Sequence, residues 1–409
     1  MVWNPRDHDA PTRVVDLDHA ATTRLRPEAR SAMEPFLADR YGNPSGIHAA
    51  ARDALRALDE ARERVAGVLG CTPGEVVLTS GGTESDVHAV SGGMPPRPGV
   101  PVCAAAEHHA VLRTVEALDG RVVDVDAAGR VDLDALGGTL ESLASADRGA
   151  SVVSVALANN ELGTVVDLEA VASVVRRTAP GVPLHTDAVQ AAPWLDLRVR
   201  SAPASLVSVS GHKFGGPRGS GVLVVRGGVE LRPLLPGGGQ ERGRRSGSVD
   251  VAGAVGLAAA LEAASVERST VVERVGGLRD RLVGRLLGAD VGVRRTVEPT
   301  DRLEVLPNFA HVRVPGVEVE PLLYLLDEAG LRVASASSCS SGAHRASHVL
   351  EAVASAGAVV DGAALRLTLG PETTADDVDH AAEVVVGVVG YLLDRRSGGR
   401  TPAASGGRR

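Results

Sequence analysis

Residues Ser208 to Gly221 spell SVSGHKFGGPRGSG and set an amine, Lys213, between an apolar run (LVSVS) and a loop crowded with glycine. A protonated amine is strongly hydrated and prefers a solvated helix face, so this position suits chemistry on the amine or a bound anion. Four other stretches have the same form, an apolar run that stops at polar groups. After EVVL comes TSGGTESD, where Gly81 and Gly82 let backbone approach an anion and Thr83 and Asp86 stand at capping-box spacing. After PVCAAA comes EHHAV with His108 and His109, and after SVVSVALA comes NNELG with Asn159 and Asn160. After VPLH comes TDAVQ, which leaves the Asp187 carboxylate at a strand end with Gln190 three residues on; Lys213 follows 26 positions beyond Asp187. Taken singly, a helix cap, a hydrogen-bonded histidine, turn-forming amides and a surface lysine explain these residues equally well.

The elements between them decide how they combine. The segment AARDALRALDEARERVAGVLG sets Leu55, Leu58, Val65 and Val68 at helical spacing and stops at Gly70, ahead of the strand EVVLTS. The alternation recurs in SVVSVALA, a helix from Asp167 to about Thr178 ended by Gly181, then VPLHTD and SLVSVS. This is the pattern of an α/β protein with a mostly parallel sheet covered by helices, expected over residues 14–261. In such a sheet, ligands bind where strand ends lead into helix N-termini. Phosphate donors, an aspartate, an imidazole and a lysine at successive strand ends are what pyridoxal 5′-phosphate requires. The lysine forms an imine with the aldehyde, and the aspartate pairs with the pyridine nitrogen and keeps it protonated. That ion pair, at about 4 Å and an effective dielectric near about 20, is worth roughly 4 kcal/mol.

Bulk properties bound the alternatives. A chain of 409 residues buries a large core, and with 2% aromatic residues that core is filled by Val, Leu and Ala. The net charge of −8 argues against a nucleic-acid binder. The first residues are charged and lack the apolar stretch of a secretory signal, and the longest apolar runs are too short to span a bilayer, so a cytoplasmic protein without membrane association is expected. Cys71, Cys103 and Cys339 form neither a disulfide framework nor a zinc pattern. Beyond Leu261 the pattern changes to helices and antiparallel-looking strands such as LPNFAHVRV, expected to form a smaller α+β domain over 262–394 together with residues 1–13. Residues 395–409, rich in Gly, Ser, Pro and Arg, are expected to be a disordered basic tail.

The motifs in order, DLDHAATT, YGNPSGIH, LTSGGTESD, AEHHAV, ANNELGT, HTDAVQ, SGHKFGGP, GGGQERGRRSGS, SSCSSG and LRLTLG, resemble those of the cysteine desulfurases of the NifS/IscS type, enzymes of the class V aminotransferase family. The resemblance implies the pyridoxal-phosphate transferase fold of type I and, residue by residue, a full site. Lys213 would carry the cofactor and Asp187 would pair with its ring nitrogen. His108 would stack on the ring and help move protons, and Asn160 and Gln190 would address the ring hydroxyl. Thr83, Ser210 and His212 would hold the phosphate, helped in a homodimer by Ser248 of the neighbouring subunit. Arg366 would clamp the substrate carboxylate, as suits a bidentate guanidinium. Cys339 would attack the sulfur of L-cysteine, yielding L-alanine and a persulfide passed to a sulfur-acceptor protein, while Cys71 and Cys103 are structural.

Three positions depart from the family pattern. ASSC (Ala336 to Cys339) stands where GSAC is usual, Ser248 replaces the usual threonine, and Val87 replaces an asparagine after the TESD run. Two other readings use the same residues: a pyridoxal-phosphate lyase acting on selenocysteine or another cysteine derivative, and a sulfur-carrier scaffold that turns over only with a partner. The presence of both Lys213 and Cys339 favours the desulfurase.

Overall fold

The computed structural model describes residues 13–92, 99–146, 148–298, 300, 303–335 and 347–398. Twelve strands follow one another along these residues: β1 (Val15–Asp16), β2 (Val76–Thr79), β3 (Val100–Ala104), β4 (Arg121–Val123), β5 (Ala150–Ser154), β6 (Leu184–Asp187), β7 (Leu206–Ser210), β8 (Gly221–Val225), β9 (Arg294–Arg295), β10 (Phe309–Val314), β11 (Leu331–Arg332) and β12 (Ala363–Thr368). Seven of them form the main sheet in the order β2-β8-β7-β6-β5-β3-β4. Only β8 runs against the others, so the expected mostly parallel sheet is present.

Helices cover both faces, which is why these strands are apolar throughout rather than alternating with polar residues. Successive residues still part company: Val76 and Leu78 join a core that extends through most of the molecule, whereas Val77, with Cys103, Val152, Leu206 and Leu223, packs on the other face against Ala89, Val90, Val111 and Val115. Several helices start where a short polar side chain satisfies the first amides. Asp167, for example, accepts from the amides of Glu169 and Ala170 ahead of the helix Leu168–Thr178.

The later part of the chain contains a three-stranded antiparallel sheet in the order β12-β10-β9. The two parts share structure. One 38-residue helix, Val251–Gly288, capped by the Asp250 side chain, runs through Leu261 and packs against the helices Pro27–Leu37, Ala49–Leu69 and Ala375–Gly398. The N-terminal segment pairs β1 with β11, bridges Asp18 to Thr368 beside β12, and then crosses to the carboxyl edge of the main sheet. The helix Ala375–Gly398 carries Arg395 and Arg396 in its last turn, inside the segment expected to be a tail; residues 399–409 lie outside the described residues. Among the described residues no helix is long and apolar enough to cross a membrane.

Candidate functional site

The strand ends converge as the motif order requires. A cleft of roughly 650 Å³, open to solvent, is lined by Thr83 and Asp86 after β2, His108 after β3, Asn160 after β5, Asp187 at the end of β6 and Gln190 after it, and Ser210 at the end of β7 with His212 and Lys213 after it. A second recess adjoins it over Gly81, Gly82 and Thr83 at the start of the helix Gly82–Gly92, with Thr22, Ser210, His212 and Arg218 around it. The first amides of a helix lack intrahelical partners and face the positive end of the helix dipole, so this recess suits an anion. Glycine at position 82 keeps this approach clear, since a Cβ there would stand 2.9 Å from the Val189 side chain.

Lys213 extends from the short turn Gly211–Lys213, and its Nζ donates to the carbonyls of Ala20 at 2.6 Å and Ala21 at 2.9 Å. Of the 43 lysine and arginine residues in the chain it is the only lysine. Gln190 Nε2 donates to the same Ala20 carbonyl at 3.0 Å, and His212 Nδ1 lies 3.2 Å from Thr22 Oγ1. The N-terminal segment Ala20–Thr22 therefore meets three of the expected site residues, Lys213 and Gln190 through carbonyl groups that no side-chain pattern announces and His212 through the Thr22 hydroxyl.

Burial sets the electrostatics. Asp187 accepts a hydrogen bond from the Val189 amide at 2.8 Å, yet burial raises its carboxyl to about 6. One oxygen each from Asp86 and Asp187, with a ring nitrogen of His108, lie within 4.8 Å of one another. Asp86 is 1% exposed, neither of its oxygens meets a hydrogen-bond partner, and burial with the neighbouring Asp187 charge pushes its carboxyl well above the usual range. The nearest cationic candidate, His185 Nε2, is 3.6 Å away, but burial depresses this imidazole to about 3, so it is neutral. The capping-box spacing of Thr83 and Asp86 misleads here. The helix already begins at Gly82, Glu84 accepts from the Ser80 amide at 2.8 Å, and Asp86 turns inward on the face shared with Ala89 and Val90. A charged residue three and four positions from buried Ala89 and Val90 is the signal that marks it.

His108 caps the helix His109–Ala117, with Nδ1 accepting from the Ala110 amide at 3.1 Å. Burial, the Lys213 charge and His109 lower its imidazole to about 4, so His108 is neutral with its proton on Nε2. Burial and Lys213 likewise lower His212 to about 4. The paired amides divide their work. Asn159 is buried and folds the turn, its Oδ1 accepting from the amides of Glu161 and Leu162 and its Nδ2 donating to Ala106, while Asn160 lines the cleft. That turn requires Gly163, whose φ of 74° and close approach to Phe309 exclude any Cβ.

Arg366, on β12 and 2% exposed, stands one residue out from the cleft. Its Nη1 donates to the Asn160 carbonyl and its Nη2 to Asp18 Oδ1, both at 2.8 Å. Glu161 lies beside it, 2% exposed, accepting from the Ser347 hydroxyl, and burial pushes its carboxyl from 4.5 to about 7. This shift has a measurable consequence for stability. Because the unfolded chain releases this proton first, Glu161 loses roughly 3 kcal/mol of its contribution as pH rises from about 4.5 to about 7, and nothing more above that. Denaturant unfolding of the cofactor-free protein should show the parent losing stability relative to Glu161→Gln across that window; parallel pH profiles would contradict it.

Ser248 is exposed and is not among the residues lining the cleft or the adjoining recess of its own chain. The segment before it is tied down by the Arg245–Glu84 pair at 2.9 Å and by the buried Arg62–Glu241 pair, whose second carboxylate oxygen accepts from the Leu78 amide. Cys339 lies outside the described residues. Burial raises the thiol of Cys71 to about 11 and that of Cys103, 1% exposed on β3, further still.

The residues present fit pyridoxal 5′-phosphate. A helix start with hydroxyls suits the phosphate, an amine stands by for the aldehyde, and the buried Asp187 carboxylate suits a protonated ring nitrogen. The aminotransferase class-V family matches residues 15–380. An IscS-like cysteine desulfurase of Mycobacterium tuberculosis is 41% identical over 91% of this chain and 95% of its own. A cysteine desulfurase of Gluconacetobacter diazotrophicus is 38% identical over 93% and 94%. Among solved structures, a NifS-like protein superposes with a TM-score of 0.82 at 32% identity, covering 93% of this chain and all of the other. SspA solved in complex with cysteine reaches 0.72 at 27% identity over 88% of this chain and all of its own. The chain therefore belongs to the class-V aminotransferase family, among its pyridoxal-phosphate-dependent cysteine desulfurases of the NifS/IscS type.

Proposed function

We propose that the protein takes the sulfur of free L-cysteine, releases L-alanine and leaves a persulfide on Cys339 for a sulfur-acceptor protein. The observation that carries this reading is the meeting of the chain's one lysine with Asp187 and His108 in a single cleft beside Arg366. Bound pyridoxal phosphate supplies the electron sink for charge developed at the substrate Cα. Thr83, Ser210 and His212 hold its phosphate, Asp187 its ring nitrogen, and Asn160 and Gln190 its ring hydroxyl. Arg366 holds the substrate carboxylate, which orients the Cα–H toward the Lys213 amine that removes the proton. Neutral His108 carries a proton on Nε2 for relay at the ring.

Cys339 then attacks the substrate sulfur. A new S–S bond forms as the substrate C–S bond breaks, the electrons of that bond remain with the carbon skeleton, and protonation gives alanine. Two features support Cys339 in this role. The thiols of Cys71 and Cys103 are too hard to ionise. Residues 336–346 also leave from Ala334, which exchanges backbone hydrogen bonds with Arg366, and rejoin at Ser347, which is bonded to Glu161, so both anchors lie at the carboxylate clamp. The test is Cys339→Ser supplied with L-cysteine and a thiol reductant. The parent should release alanine and sulfide in equal amounts; the variant should stay yellow, form no persulfide and release neither. Unequal products from the parent, or alanine from the variant, would overturn the reading.

The finer proposals are a cytoplasmic homodimer in which Ser248 completes the partner's phosphate site. Its exposure on a glycine-rich arm, away from its own recess, supports that role.

A further inference from the structure

Arg366 is 2% exposed, so its charge needs a counter-ion at every stage of the reaction. Without substrate that counter-ion is Asp18, whose Oδ1 accepts from Nη2 at 2.8 Å. The other acidic side chain beside the guanidinium, Glu161, is hydrogen-bonded to Ser347 and raised by burial to about 7, so it carries less of the counter-charge than Asp18, and His311 on the facing strand is depressed to about 3 and uncharged. Asp18 is placed with little freedom. Its backbone bridges to Thr368 and its own amide donates to Asp16 Oδ1 at 3.0 Å. Two and three residues further on, Ala20 and Ala21 accept from Lys213. An arriving carboxylate therefore meets a guanidinium that is already paired, and has to share it with Asp18 at like-charge separation.

We infer that Asp18 is a positioning residue that sets the affinity for the substrate carboxylate. It holds the Arg366 fork at the cleft rim and, through its negative charge, keeps carboxylate binding weak enough for L-alanine to leave. The inference rests on Arg366 being the carboxylate clamp. The charge, and not the hydrogen bond, carries the effect, because an amide oxygen at the same place still accepts from Nη2.

The experiment compares the holoenzyme with Asp18→Asn and Arg366→Lys variants on L-cysteine and on L-cysteine methyl ester, which lacks the carboxylate charge. The inhibition constant of 3-mercaptopropionate, a carboxylate without an amine, is measured alongside, and melting temperatures show that each variant is folded. Asp18→Asn should lower the KM for L-cysteine and the 3-mercaptopropionate constant by about tenfold and leave the KM for the ester unmoved. Arg366→Lys should erase the preference for the acid over the ester. If it does so while Asp18→Asn shifts acid and ester together, or neither, Asp18 is merely structural and the inference falls. If Arg366→Lys leaves the preference intact, Arg366 is not the clamp, and that reading falls first.

Discussion

Replacement of Lys213 by alanine should abolish alanine release from L-cysteine, by about four orders of magnitude, the range lost when an enzyme is deprived of a residue that is both covalent anchor and general base. Lys213→Arg should be as inactive, although it keeps the charge. The composition of the chain argues for this outcome. Every other basic position is arginine, including the buried Arg62 and the Arg226 that ties three loop groups of Ser201 and Ala204. Arginine is thus accepted wherever a cation or a fork of donors suffices, and lysine stands only where the amine must lose its proton and form a bond to carbon. Both variants are read by alanine quantification and by the loss of the yellow colour that survives desalting. Residual activity above about one per cent of the parent in Lys213→Arg would show that charge, not the amine, is what the site uses.

The second large effect is at Asp187. An amide there keeps the hydrogen bond to the Val189 amide but removes the charge opposite the ring nitrogen, worth roughly 4 kcal/mol, so Asp187→Asn should lose about a thousandfold in turnover and bind pyridoxal phosphate more weakly. Asp86→Asn should cost far less. Its carboxyl has no cationic partner and is pushed up by burial and by Asp187, so it is held neutral, and asparagine is close to its shape. Two aspartates whose oxygens lie within 4.8 Å of one another should therefore tolerate the same substitution very differently. Equal losses in the two variants, by activity and by cofactor dissociation constant, would contradict the division of charge between them.

Much of this site was legible from local pattern. Strands β2, β3, β5, β6 and β7 are apolar runs that stop at polar groups, and a parallel sheet must bring those stops to one edge, so the stretches carrying Thr83, His108, Asn160, Asp187 and Lys213 could be gathered from spacing, while the choice of His108 over His109 and of Asn160 over Asn159 rested on the family resemblance. What stayed hidden depends on facing and on distance along the chain. Asp86 looked like a helix cap because spacing cannot tell a first-turn carboxylate from one turned inward, and that depends on a helix start one residue earlier. The Asp18–Arg366 pair spans 348 positions, and Ala20 and Ala21 act through carbonyl groups that any residue possesses. Glu161 sits in a turn-forming stretch, and only the packing of Ser347 against it reveals a buried acid.

The central claim is a covalent bond between Lys213 and the cofactor, and borohydride tests it most directly. The purified holoprotein, reduced and digested, should yield one pyridoxyl-modified peptide, with the mass increment on the lysine of GHKFGGPR, and the yellow colour should be lost as it forms. Because the chain has no other lysine side chain, a reduced protein with unmodified Lys213, or with the label only on its N-terminal amine, would contradict the account outright.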